Sequence, residues 1–103
     1  MDDEPQIPQV GQFVKVVRGR DINKHAIIIR AIDERFVLIA DGDKRKFDQP
    51  KKKNLMHLQL YNRISPEVAN SIREGGRVTN GKLRFALNQF LESHPEEAAA
   101  KGE

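Results

Sequence analysis

The chain has 103 residues, 32% charged and 38% apolar, with a formal net charge of +3 and no cysteine. That size allows one domain with a small core, and the absence of cysteine excludes a disulfide framework and thiol chemistry. The charge is unevenly spread: residues 11–63 hold thirteen Lys and Arg against six Asp and Glu, which is +7, so the remainder sums to −4.

Met1-Asp2-Asp3-Glu4-Pro5 is acidic and has no apolar stretch, so it does not read as a signal peptide. Residues 1–10 read as a disordered acidic arm, with order beginning at Gln9. Gln12 to Val17 reads as a strand, with Val14 and Val16 on one face by period two. Gly19 ends it. Residues 18–25 form a polar loop, where Asn23 is the non-glycine residue best able to take a positive φ. Ala26 to Ile32 is the next strand, and Asp33-Glu34-Arg35 a tight turn. Phe36 to Ala40, the longest unbroken apolar run, reads as a third strand buried on both faces. It is far short of the about 20 residues a membrane-spanning helix needs.

Asp41-Gly42-Asp43 is a hairpin signal, and Lys44 to Asp48 then reads as a short charged edge strand. Pro50 to Asn54 reads as an exposed loop. Leu55 to Leu60 closes the set. Five short strands in about fifty residues imply a small, strongly bent barrel over residues 11–62.

The period then changes. Ser65-Pro66-Glu67 starts a helix: Ser as N-cap, Pro at the first helical position, Glu in the first turn. Gly75-Gly76 stops it. Thr79 or Asn80 caps a second helix, whose Leu83, Ala86, Leu87, Phe90 and Leu91 form one apolar stripe. Phe85, one residue off that stripe, is expected to widen it and pack against the barrel. Residues 63–94 are thus a C-terminal helical extension, and residues 95–103 an acidic, disordered tail. The predicted fold is mainly β, a five-stranded barrel followed by two helices.

Residues 11–27 read Gly11-x-x-Val14-x-Val16-x-x-Gly19-x-x-x-Asn23-x-x-x-Ile27. This pattern resembles the KOW motif of several ribosomal proteins and of NusG-type elongation factors, with Asn23 where the motif usually has a second glycine. Val37 to Lys46 and Pro50 to Gln59 look very like small KOW-domain RNA-binding proteins of Gram-positive bacteria, related to the large-subunit ribosomal protein of the fourteen-e type. Thr79-Asn80-x-Lys82-x-Arg84-x-Ala86-Leu87 resembles that group's C-terminal end. The resemblance spans roughly residues 11–91. It implies an SH3-like (KOW) barrel, with Val14 and Val16 facing its core, and RNA binding on or near the ribosome.

Basic residues on three loops supply the candidate site: Arg18, Arg20 and Lys24; Lys44, Arg45 and Lys46; and Lys51, Lys52, Lys53 and Asn54. Lys and Arg there would neutralise phosphates and release counterions, and a guanidinium could fork onto phosphate or stack on an unpaired base. The bland reading of each run is a solvated loop that keeps the protein in solution. Phe13 and Phe47 are candidates for base stacking, packing under the helices being the plainer use. Phe36 reads as core. His25 and His57 read as half-buried strand-end residues, and three scattered histidines without cysteine make no metal site. Asp41 and Asp43 are accounted for by the turn. No nucleophile constellation or nucleotide-cradling loop is present, so neither an enzyme nor a cofactor is expected.

The expected function is RNA binding, most simply of structured ribosomal RNA, by backbone and shape. Ribosomal proteins are a further expected partner and a membrane surface is not; the free protein is expected to be a cytoplasmic monomer. The alternative is an SH3-like protein-interaction module of the transcription or translation machinery, contacting its partner through the Leu83/Leu87/Phe90 stripe and an edge strand.

Overall fold

Alternating apolar residues and tight links build five strands: β1 (Gln12–Val16), β2 (His25–Ala31), β3 (Phe36–Ala40), β4 (Lys51–Asn54) and β5 (Leu58–Ile64). They lie antiparallel in one sheet, in the order β4-β3-β2-β1-β5. Two helices follow, α1 (Pro66–Gly75) and α2 (Asn80–Glu92). The computed structural model describes residues 7–95, so the acidic stretches at 1–6 and 96–103 lie outside the described residues.

The sheet buries both of its faces. Val14, Val16, Ala26, Ile28, Val37, Ile39 and Leu58 form one cluster made entirely by the strands. The residues of opposite phase, Phe13, Ile27, Ile29 and Ala40, face the helices and meet Val68, Val78, Leu83, Ala86, Leu87 and Phe90. Strict alternation across a pleat sends neighbours to opposite faces. That is why β2 and β3 read as continuous apolar runs rather than alternating ones. Val14 and Val16 are 0% and 2% exposed, as the motif resemblance implies.

The expected closed barrel is not what the strands make. β4 and β5 are the two edges, and the sheet is open between them. A single 3-10 turn, Leu55–His57, links the two. Asn54 caps that turn by accepting from the Met56 N–H at 2.8 Å. Ladder irregularities between Gln12 and Val14 and between Ile28 and Arg30 interrupt the regular pairing.

The expected strand at 44–48 is also absent. Asp41 instead folds the chain into a tight loop, its Oδ1 accepting from the Asp43 N–H at 2.8 Å and the Arg45 N–H at 2.9 Å. This side-chain bonding competes with ladder pairing. The strand that does pair with β3 is Lys51 to Asn54, where the sequence suggests an exposed loop. Three lysines in a row carry little β propensity; the edge position tolerates them and leaves charged side chains along an unpaired margin.

The helices begin and end where their signals lie. Ser65 accepts from the Val68 N–H, Thr79 from the Lys82 N–H, and Gly76 closes α1 in the left-handed region. Three bonds fasten them to the sheet. The Ser65 N–H donates to the Gly11 carbonyl at 2.8 Å, Arg84 Nη1 to the Gly42 carbonyl at 2.6 Å, and the Phe47 N–H to Asn80 Oδ1 at 2.8 Å. Phe85 departs from expectation: it is 56% exposed. At 100° per residue, one step off a stripe already filled by Leu83 and Ala86 turns a side chain away from the sheet.

The β2–β3 turn sets a measurable acidity. Asp33 Oδ1 accepts from the N–H groups of Arg35 at 2.8 Å and Phe36 at 2.9 Å. These bonds, with smaller help from Lys52 and Arg35, hold its carboxyl below the ordinary 3.8. A depressed folded pKa stabilises the fold above the unfolded value and loses that contribution as pH falls through the folded one. A carboxyl NMR titration should place the Asp33 midpoint below 3.8. A midpoint at or above that value would show that the turn does not bond the carboxylate in solution.

Candidate nucleic-acid interface

The pleat divides the lysine triplet. Lys51 and Lys53 lie opposite Ile39 and Val37, whose side chains belong to the strand-made cluster, so they share that face. Lys52 lies opposite Leu38 on the other face, with its Nζ 4.6 Å from the centre of the Phe36 ring. Phe36, expected in the core, is half-buried beneath this cation.

Lys53 is 9% exposed. Its side chain lies on the strand-made face and its ammonium reaches the glycine loop, 3.4 Å from the Arg18 carbonyl oxygen. This contact draws the 18–24 loop against β4. The loop turns back through Asn23, the one non-glycine residue at positive φ (74°) among the described residues. The Asn23 N–H bonds the Val16 carbonyl at 2.7 Å, and the Val16 N–H bonds the Lys24 carbonyl at 2.9 Å.

These links bring separate basic loops together. Lys24, Lys44, Arg45 and Lys51 line one shallow hollow of about 40 Å³, along with Asp21 and Asp41. Arg18 and Arg20 sit exposed on the adjoining loop. Lys46 is exposed but does not line this hollow, Lys52 is on the opposite face, and Asn54 Oδ1 is taken by the 3-10 turn. Of the ten residues selected from the sequence, four thus converge on one hollow and Lys53 braces it.

The aromatic candidates lie mostly inward. Phe13 is 4% exposed and stacks on Phe90 with ring centroids 4.4 Å apart. Phe47 is half-buried against the helix-facing core, with the Arg77 guanidinium 5.7 Å from its ring centre. His25 is buried at the start of β2, with its Nε2 3.4 Å from the Tyr61 hydroxyl. His57 is half-buried in the 3-10 turn. The stripe of α2 is internal, Leu83, Leu87 and Phe90 being buried against the sheet, and only Leu91 at its end is half-buried. Among the described residues no helix is long and apolar enough to cross a membrane.

No family model matches the chain. A curated Bacillus subtilis (strain 168) protein, named "Putative ribosome-binding protein YbzG", is 68% identical to it over 44 residues. The match takes in 43% of this chain and 60% of that protein, so the chain spans about three fifths of the length of the curated relative.

Sequence reasoning missed Arg84, which is held against the Asp41–Arg45 loop by its bond to Gly42. Its partner is 42 residues away, and no periodicity within α2 marks a residue that reaches off the helix to a sheet loop.

Proposed function

We propose that this chain is an RNA-binding module that works on the ribosome, meeting structured RNA through the face built by Lys24, Lys44, Arg45 and Lys51. One observation carries the reading: the loop holding Lys24 and the stretch from Lys44 to Lys51, about twenty residues further on, put four cations around a single hollow. Convergent positive charge of this kind raises the local concentration of a polyanion and speeds its arrival. Arg18 and Arg20 extend the face, and Lys53 acts within it as a brace rather than a phosphate contact. The KOW resemblance supports an SH3-like fold for the sheet, and the antiparallel order with β5 beside β1 is consistent with it. YbzG carries the name "Putative ribosome-binding protein", which supports the ribosome as the place where the RNA is met. The chain acts as a binding module with no catalytic role.

The test compares Lys44→Ala/Arg45→Ala/Lys51→Ala with Lys52→Ala in a salt series against ribosomal RNA fragments. Each lost phosphate contact lowers the slope of log K against log salt by about 0.7–0.9. The triple variant should therefore lose roughly 2–3 in slope, while Lys52→Ala should stay within one contact of the parent. Equal slopes for the parent and the triple variant would remove this face from RNA binding.

A further inference from the structure

A second cavity adjoins the cationic hollow and differs from it in the balance of charge: two carboxylates against one guanidinium line it, where four cations face two carboxylates in the hollow. Its volume is about 290 Å³, at the low end of the range for small-molecule sites. The two share His25 and Asp41, so they lie side by side across the start of the Asp41–Arg45 loop. Where the first is ringed by lysines and an arginine, the second is lined by Asp43, Arg84 and Asn88, with Leu87 and Leu91 as apolar surface. The loop on one side is pinned: Asp41 Oδ1 holds two backbone N–H groups and Arg84 Nη1 holds the Gly42 carbonyl. The helix on the other side is part of the core. The cavity is therefore built between two fixed walls.

We infer that this cavity receives one unpaired guanine base of the RNA whose backbone lies on the cationic hollow. This base site rests on that face being an RNA surface, and charge selects what enters it. Asp41 and Asp43 outnumber Arg84 in the cavity and disfavour phosphate there, while four cations against Asp21 and Asp41 retain it in the hollow; the uncharged part of a nucleotide is what remains to enter. Leu91, half-buried at the cavity wall over the buried Leu87, offers apolar surface to a flat ring. Asp43 can accept two parallel N–H bonds, and among the four bases guanine alone presents such a pair, at N1 and N2. Arg84 and Asn88 can donate to the acceptors on its adjoining edge, O6 and N7. Asp43 is the reading carboxylate because Asp41 already serves the loop backbone. RNA is recognised in this way when a loop nucleotide is splayed out of its stack.

The test uses the full chain and two RNA hairpins that differ only in one unpaired loop nucleotide, guanosine or adenosine, followed by fluorescence anisotropy across a salt series. The guanosine hairpin should bind about tenfold or more tightly. Asp43→Asn leaves the fold intact, because Asp43 is exposed and contributes only its backbone N–H to the loop. An amide cannot accept both N–H groups, so this variant should bring the two hairpins to within about twofold while keeping the parent salt slope. Equal binding of the two hairpins by the parent, or a guanosine preference that survives in Asp43→Asn, overturns the base assignment while salt-dependent binding still stands. Loss of salt-dependent binding to both hairpins in the parent itself would overturn the RNA face as well.

Discussion

Phe90→Ala should lower the unfolding free energy by about 3–5 kcal/mol, the range for truncating a fully buried aromatic. Phe90 is 1% exposed and is the hub of the helix–sheet contact. It stacks on Phe13 at 4.4 Å and on His94 at 4.3 Å, and meets Tyr61 edge-on at 4.9 Å. The Arg63 guanidinium lies 5.8 Å from its ring centre. Aromatic pairs add about 0.5–1.5 kcal/mol beyond the area they bury, so alanine forfeits ring contacts as well as volume. A domain of this size has a total stability of about 5–15 kcal/mol. The variant should therefore show a much lower urea midpoint and a melting temperature lower by some 12 °C or more. Phe85→Ala, on the exposed side of the same helix, should stay within about 0.5 kcal/mol of the parent. Similar losses at the two positions would mean that α2 does not pack on the sheet through the stripe at 83, 86, 87 and 90.

Gly42→Ala should cost about 2–5 kcal/mol, by adding backbone strain to overpacking. Gly42 has φ +81°, and a Cβ there would collide with the Asn80 carbonyl oxygen and come within 3.0 Å of Leu83 Cβ and 3.1 Å of Arg84 Cγ. None of these can withdraw easily, because Asn80 opens α2 and Leu83 is 0% exposed. The loop would have to move instead, and it carries Lys44 and Arg45. RNA affinity should fall together with stability, even where most of the protein remains folded. Gly76 provides the comparison. It has nearly the same φ, +79°, but open space around the Cβ position, so Gly76→Ala should cost only about 1 kcal/mol, the strain alone. Denaturant unfolding of the two variants separates collision from strain; equal costs would show that the loop yields freely.

How much the chain declares in advance depends on the range of the forces involved. The helix boundaries at Ser65, Gly76 and Thr79 are legible because capping is a bond between residues three or four apart. The double burial of β3 is legible because the pleat has a fixed period. The positive φ at Asn23 is legible because few side chains tolerate it. The strand at Lys51–Asn54 is not, since its pairing comes from β3 rather than from its own residue types. The misread strand at 44–48 is the converse case: the Asp-Gly signal marks a turn correctly, but the Asp41 carboxylate and the Asn80 side chain claim the N–H groups that a ladder would have used.

Charge divides along the same line. The excess of lysine and arginine over residues 11–63 is fixed by composition, and it is what first suggests a polyanionic partner. Which of those cations act together was decided only by tertiary structure. The pleat sends Lys52 to the far face, and burial turns Lys53 into a strut. Loop docking carries Lys24, Lys44, Arg45 and Lys51 to one hollow and sets beside it a cavity where carboxylates outnumber cations. Local bonds are written in neighbouring residues. The sum of charges at a surface depends on distances between residues tens of positions apart, and only the packed chain sets those.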